Sequence, residues 1–437
     1  MNKDINRQLL DFIAASPTAF HAAENVAAAL REAGFTELYE SGEWKIAAPG
    51  DYFVRRNGSS LLAFRLPEDF SGFMIMAAHG DSPCFKIREG AEPKAAGAYR
   101  QLSVEKYGGM LCSTWMDRPL SAAGRLMIRE GDGISQRLVN IDRDLLLIPS
   151  LAIHMDRSAN EGRRFDPAVD MQPLFGAAEG ARRFLALAAE SVGAAPEDLL
   201  SGDLFLYCRA PGTLWGAEEE YLSAPRLDDL QCVFACLKGF LAAEKSQSAR
   251  VLCVFDNEEV GSGTKQGADS GFLADTLERL WQALGRGREP FLRALAGSFM
   301  VSADNAHALH PNHPECADRG DRPLINGGVV IKYNANQKYT TDAVSAAVFG
   351  EICRRAGVPV QRYANRPDIP GGSTLGNISC AHVAIDCVDV GLAQLAMHSA
   401  YETAGARDTA YLCRAAEAFY ASAIRRDGEK IRLETEK

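Results

Sequence analysis

The stretch VLCVFDNEEVGSGTK, residues 251–265, sets two glutamates side by side where an apolar run gives way to glycine. Adjacent carboxylates at the end of a buried strand repel one another unless something positive joins them. Either a metal ion sits there, or a surface loop carries Glu258 and Glu259 into water. Other apolar runs end in a similar way. FMIMAAHGD delivers His79 and Asp81, SFMVSADN delivers Asp304, and LAQLAMHSA delivers His398. In open α/β sheets, ligands gather at the carboxyl ends of strands. His79, Glu258, Glu259, Asp304 and His398 can therefore converge, with Asp228, entering a helix after LSAPRL, as a further candidate. Each also has a plainer reading. His398 suits a satisfied core histidine, Asp228 beside Asp229 suits a helix N-cap, and Asp304 suits the cap of a helix-like NAHALH segment. Asp81, two residues past His79, is spaced to fix that histidine's tautomer. The long separations match neither a zinc finger nor HExxH.

The elements that must position these groups follow from periodicity. Residues 4–34 read as helix, broken at Ser16-Pro17 and stopped at Gly34. SSLLAFRLP and GFMIMAAHGD read as strands, the second apolar throughout, as expected of a strand covered on both faces. Between 88 and 224 the texture changes to short alternating runs such as YRQLSVEKYGG and GRLMIREGD, separated by glycine turns, with EGRRFDPAVDMQPLFG as an irregular loop. Beyond 225, helix is expected over 229–241, in GADSGFLADTLERLWQALG, in TTDAVSAAVFGEICRRAGV and over 409–425; VLCVFDN, SFMVSADN and CAHVAIDCVD are expected strands. The pattern predicts an α/β fold with a mostly parallel central sheet and flanking helices. The α/β domain is expected to be split, residues 1–87 and 225–437, around an inserted β-rich domain over 88–224.

Composition removes several function classes. Acidic residues outnumber basic ones 57 to 47 in 437 residues, which argues against a general nucleic-acid binder. MNKDINRQLLDFIAASPTAF does not read as a signal peptide or anchor, and no run is long enough to span a membrane. The eleven cysteines form no CxxC pair and sit mostly in apolar strings, as reduced core cysteines do. A cytoplasmic protein is the expectation.

The segments AAHGDSPCFKIR, RLDDL, FDNEEVGSGT, SADNAHALHPNH, GGVVIKYNANQKYTTD and GLAQLAMHSAYE, preceded by SPTAFHAAENV, resemble those of the M18 metallo-aminopeptidases, in the family's order and over nearly the whole chain. That family includes aspartyl aminopeptidase and vacuolar aminopeptidase I. The resemblance implies two zinc ions held by His79, Asp228, Glu259, Asp304 and His398, with Asp228 bridging them. His79 and Asp304 would complete one site, Glu259 and His398 the other. Cobalt or manganese can substitute, since oxygen and imidazole ligands do not enforce zinc. It further implies Glu258 as the general base and Asp81 as the residue that orients His79, so the paired glutamates divide the work. His154, His307, Lys332 and Tyr339 match substrate-contact positions, with Lys332 a positive partner for an acidic side chain. The implied reaction releases the N-terminal residue of short peptides, preferably Asp or Glu. The implied assembly is a dimer through the inserted domain, built into a dodecamer, in which His154 reaches a neighbour's active site. The segment DIPGGSTLGNIS departs from the aspartyl-aminopeptidase form at Gly371, Gly372, Ser373 and Thr374. An M18 enzyme preferring neutral residues such as Leu is therefore the alternative. A non-catalytic peptide or cargo binder is the alternative of another class, against which stands Glu258, a residue that binding alone does not require.

Overall fold

A computed structural model describes residues 2–89, 92, 94–95, 97–178, 183–244 and 246–435. Two strands fix its centre. Phe73–His79 and Ala249–Phe255 are buried at every position and lie parallel, with Phe255 opposite His79. They belong to a nine-stranded sheet in the order Thr36–Leu38, Gly50–Arg56, Ser60–Leu66, Ala249–Phe255, Phe73–His79, Phe299–Ala303, Asp386–Gly391, Val329–Tyr333, Val360–Ala364. The pairing is parallel except at both edges of Ser60–Leu66 and between Val329–Tyr333 and Asp386–Gly391. Helices Ala19–Glu32, Leu227–Ala242, Ala343–Arg355 and Asp408–Tyr420 pack one apolar layer on this sheet. Phe272–Ala283, Arg288–Ala296 and Leu375–His382 pack the other. Burying each Leu or Phe of these layers is worth roughly 1.5–3 kcal/mol, which offsets the cost of sinking charged groups at the strand ends.

A second sheet is antiparallel throughout, in the order Gly133–Asn140, Leu120–Glu130, Leu199–Cys208, Cys84–Ile87, Val104–Tyr107. It has its own core, where Phe85 meets Trp115 edge-on at 5.3 Å. Cys84–Ile87 thus pairs with this sheet, four residues before the border expected from composition. At the other end, Thr213–Trp215 and Tyr221–Ala224 leave it. They join a small sheet with Glu402–Gly405, Ala393–Leu395 and Ala306–His307. Short alternating strands look the same in either sheet, so local pattern does not separate them.

Three local expectations are corrected. CAHVAIDCVD is not one strand: its first residues close helix Leu375–His382 and the strand begins at Asp386. A short apolar run bears no period that tells a helix end from a strand. The last long helix stops at Tyr420 rather than 425. Ser422–Asp427 then pairs antiparallel with Lys430–Thr435 around Gly428, whose φ of +60° suits glycine. The NAHALH segment is not helical; Ala306–His307 is a strand pairing with Ala393–Leu395.

Candidate metal centre

The strand ends bring the charged groups together. His79 closes its strand, Glu258 and Glu259 form a single turn after Ala249–Phe255, and Asp304 follows Phe299–Ala303. Asn257 makes the sharp exit to the glutamates with φ of +63°. Its side-chain Oδ1 accepts from Thr264 Oγ1 and Gln266 Nε2 at 2.8 and 2.7 Å, which anchors the turn. Asp228 and Asp229 enter Leu227–Ala242 with non-helical backbone. His398 lies in the turn joining Ala393–Leu395 to Glu402–Gly405, at φ +66°.

Among the described residues, ligand atoms fall into three overlapping groups, each within 4.8 Å: His79 with Asp228, Asp229 and Asp304; His79 with Glu258 and Glu259; and Asp228 with Glu259 and His398. Asp228 stands between the imidazoles. Its Oδ1 is 3.5 Å from His79 Nε2 and its Oδ2 is 3.4 Å from His398 Nε2. Glu259 Oε2 is also 3.4 Å from His398 Nε2. Both histidines are oriented from behind. His79 Nδ1 is 3.1 Å from the Asp81 carbonyl and 3.4 Å from its carboxylate, and His398 Nδ1 is 2.6 Å from Gly109 O. A proton on each Nδ1 leaves Nε2 as a lone-pair donor facing the cluster. Asp81 in turn accepts from Tyr107 Oη at 2.7 Å and from the backbone N–H groups of Glu258 and Glu259 at 3.2 Å each.

The electrostatics are unbalanced without a cation. Asp228, Asp229, Glu258, Glu259 and Asp304 face two imidazoles and one ammonium. Burial, reinforced by Asp304, Asp81 and Asp228 against the pull of His79, pushes Glu258 up to about 8. Burial and the neighbouring Asp228 hold Glu259 well above the carboxylate range. Burial alone would raise Asp228 too, but the adjacent His398 and His79 outweigh it and hold it low. Asp228 Oδ1 and Glu259 Oε1 are buried with no hydrogen-bond partner. Such orphaned oxygens are costly in a dry site. Carboxylate and imidazole donors aimed at a common space are what a divalent ion takes, so the donor set fits a metal.

The other expected residues separate into two kinds. Lys332 is buried and its Nζ reaches Asp304: 2.8 Å to the carbonyl of Asp304, 3.4 Å to that of Asn305 and 3.5 Å to the Asp304 carboxylate. Tyr339 lies under it, 5.2 Å from Nζ to ring centre. His307 lines a neighbouring cavity of about 340 Å³ with Tyr363, Ile369 and Pro370. His154 is exposed on the irregular segment after Gly133–Asn140 and is not among the clustered ligands. Two residues escaped the sequence reading. Asp229 joins the first ligand group and accepts the His79 backbone N–H at 3.3 Å. Glu402 is buried and accepts the backbone N–H of Asp228 at 3.0 Å and of His398 at 2.7 Å. A carboxylate shortly after a histidine, as in HGD, was the available signal in HSAYE.

Residues 12–420 match the family model described as aminopeptidase I zinc metalloprotease (M18). The chain belongs to the M18 family. Accordingly it is a zinc metallo-aminopeptidase. A probable M18 family aminopeptidase 2 of Clostridium acetobutylicum is 45% identical over 423 residues, covering 95% of this chain and 98% of the relative. One of the same description from Pseudomonas paraeruginosa is 40% identical, covering 97% and 99%. Among solved M18 structures, the Ape4 chain of a cryo-EM complex with Nbr1 superposes with a TM-score of 0.93 at 37% identity, covering 96% of this chain and 86% of that one. The S. cerevisiae mApe1 dodecamer superposes with a TM-score of 0.86 at 28% identity, covering 96% of each chain. No helix among the described residues is long and apolar enough to cross a membrane.

Proposed function

We propose that this M18 aminopeptidase works with two zinc ions, held by His79, Asp228, Glu259, Asp304 and His398, and removes N-terminal Asp or Glu from short peptides. The observation that carries the two-ion reading is Asp228, whose two carboxylate oxygens each face a different imidazole at about the same distance. Divalent ions in such a site supply Lewis acidity and an activated water. The chain supplies the rest. Glu258 takes the proton from the attacking water and returns it to the departing amine. Asp81 and Gly109 O keep the two Nε2 lone pairs aimed. Cobalt or manganese would serve in place of zinc, as the donors are not selective.

Lys332 supports the acidic preference. It is a desolvated cation whose carboxylate partner, Asp304, is itself assigned to a metal, so the ammonium is left to balance a substrate carboxylate. His307 and Tyr339 stand beside it, and His154 would come from a neighbouring copy. A second reading, preference for neutral residues such as Leu, is favoured by the same Nζ spending its hydrogen bonds on two carbonyls and by the Ile369 and Pro370 wall of the adjoining cavity. Sheet membership supports a catalytic domain of about 1–83 and 209–437 with an insertion over 84–208. The likeness to dodecameric mApe1 supports self-assembly; contacts through the insertion and a cytoplasmic location complete the proposal.

The test is Glu258→Gln. Turnover should fall by about 10²–10⁴-fold while metal analysis still finds two zinc ions per chain. One ion per chain in the active wild type, or full activity after complete chelation, defeats the two-ion reading. A panel of peptides beginning with Asp, Glu, Leu, Met, Ala or Lys decides specificity, and a preference for Leu or Met over both acids selects the second reading. Inactivity on every peptide with both sites filled would point to a binding protein.

A further inference from the structure

Behind the metal centre, between the two main sheets, lies a cavity of about 330 Å³ that the reaction does not use. Its floor carries Asp81 and Glu402, the carboxyls that hold His79 and the backbone of Asp228 and His398. Its walls are largely aromatic and apolar, with Phe20, Phe205 and Tyr207 prominent. Its cations are unequally satisfied. Lys86 and Arg125 share Asp203, at 2.8 and 2.9 Å. Arg226 has no such partner among the described residues. One of its amino groups donates to Ile13 O at 3.0 Å, while Nε is buried with no hydrogen bond. Its face meets the Tyr207 ring at 5.7 Å. The carboxyls nearby do not serve it: both oxygens of Glu402 are taken by backbone N–H groups, and those of Asp81 by Tyr107 and two backbone N–H groups.

A guanidinium withdrawn from water keeps its charge and requires an anion. We propose that this cavity binds a small carboxylate with an aromatic or branched apolar body, its oxygens on Arg226 and its body between Phe20, Phe205 and Tyr207. The size suits one such molecule. The exposed Lys265 on the rim adds a positive charge at the mouth. Arg226 sits two residues before Asp228, at φ +58°, so an occupant would also steady the segment that presents the central carboxylate.

The experiment uses the zinc-loaded protein with its metals covered by a peptide hydroxamate, so that carboxylates cannot bind there. Crystals are soaked in 4-bromobenzoate and the bromine is located by anomalous scattering. A peak among Phe20, Phe205 and Tyr207 is expected; bromine absent from the cavity overturns the proposal, wherever else it is found. In solution, calorimetric affinity for 4-bromobenzoate should drop about ten- to hundredfold in Arg226→Gln, the range for a lost charged hydrogen bond, with an unchanged circular-dichroism spectrum certifying the variant. Should that variant not fold, Phe205→Ala is measured in its place and should bind more weakly. Equal affinity in a folded variant, or inorganic phosphate binding as tightly as 4-bromobenzoate to the wild type, also overturns it.

Discussion

The two histidines of the candidate metal centre are held in different ways. His79 closes a strand in the middle of the main sheet, with its side chain 2% exposed. His398 rides a turn in a small sheet, with its side chain 33% exposed. The first is fixed by the apolar layers that fix the sheet itself. The second is fixed by the antiparallel module: Gly109 O meets its ring, Leu111 N–H donates to its carbonyl at 3.0 Å, and Ala400 N–H donates to Thr114 Oγ1 at 2.9 Å. One half of the site is therefore a property of the core and the other a property of how two parts of the chain meet. The first should tolerate least and fail by unfolding; the second should fail by losing its ligand while the fold survives.

Replacing the histidines is the most severe way to break that contrast. His79→Ala and His398→Ala should each lower turnover by more than about 100-fold, the upper end for residues that merely orient a ligand. Only His79→Ala should also lower the melting temperature clearly, because it leaves buried partners around it unmet. Equal melting temperatures would show that the two halves are supported alike. Tyr107→Phe comes next. It removes the hydroxyl that donates to Asp81 and accepts from Asn257 Nδ2 at 2.8 Å, and metal affinity should fall about 10- to 100-fold, as read by competition with a chelator. Thr114→Val takes the acceptor from Ala400 N–H at a cost of about 1–3 kcal/mol. On the proposed two-ion reading, one metal should be lost before the other in a chelator titration, with the melting temperature lowered by only a few degrees. Gly80→Ala should do least, since a β-carbon there would lie 3.4 Å from Val254 Cγ1 and 3.5 Å from Ala22 Cβ, ordinary packing distances. Stability should stay within about 0.5 kcal/mol, and a larger loss would mean that the His79 side is tighter than its contacts indicate.

The same contrast explains what was legible in the sequence. The strand that delivers His79 announces itself, because a run buried on both faces is apolar at nearly every position, and the turn after Phe255 is marked by its two glutamates. Asp304 is readable for the same reason. The His398 side is harder: nothing local in LAMHSAYE says that Gly109 supports the ring or that Glu402 ties down the backbone, because those contacts join distant stretches. Lys332 shows the same limit. Its strand, Val329–Tyr333, runs antiparallel to Asp386–Gly391, and only that pairing brings its ammonium to Asp304. Gly391 belongs to this packing too, since a β-carbon there would stand 1.9 Å from Asp304 O. A glycine read singly does not disclose which backbone comes so near.

The segment from Tyr107 to Thr114 touches both halves: Asp81 through the tyrosine, His398 through Gly109 and Leu111, and the following Ala400 through Thr114. This bears on recombination between relatives. A chimera that exchanges the antiparallel sheet for that of another family member imports a foreign version of these contacts along with it. Breakpoints near 84 and 208 would make an intact sheet but a mismatched seam. A graft that retains this chain's Tyr107–Thr114 stretch, and splices on either side of it, keeps the seam native while the rest of the sheet is changed.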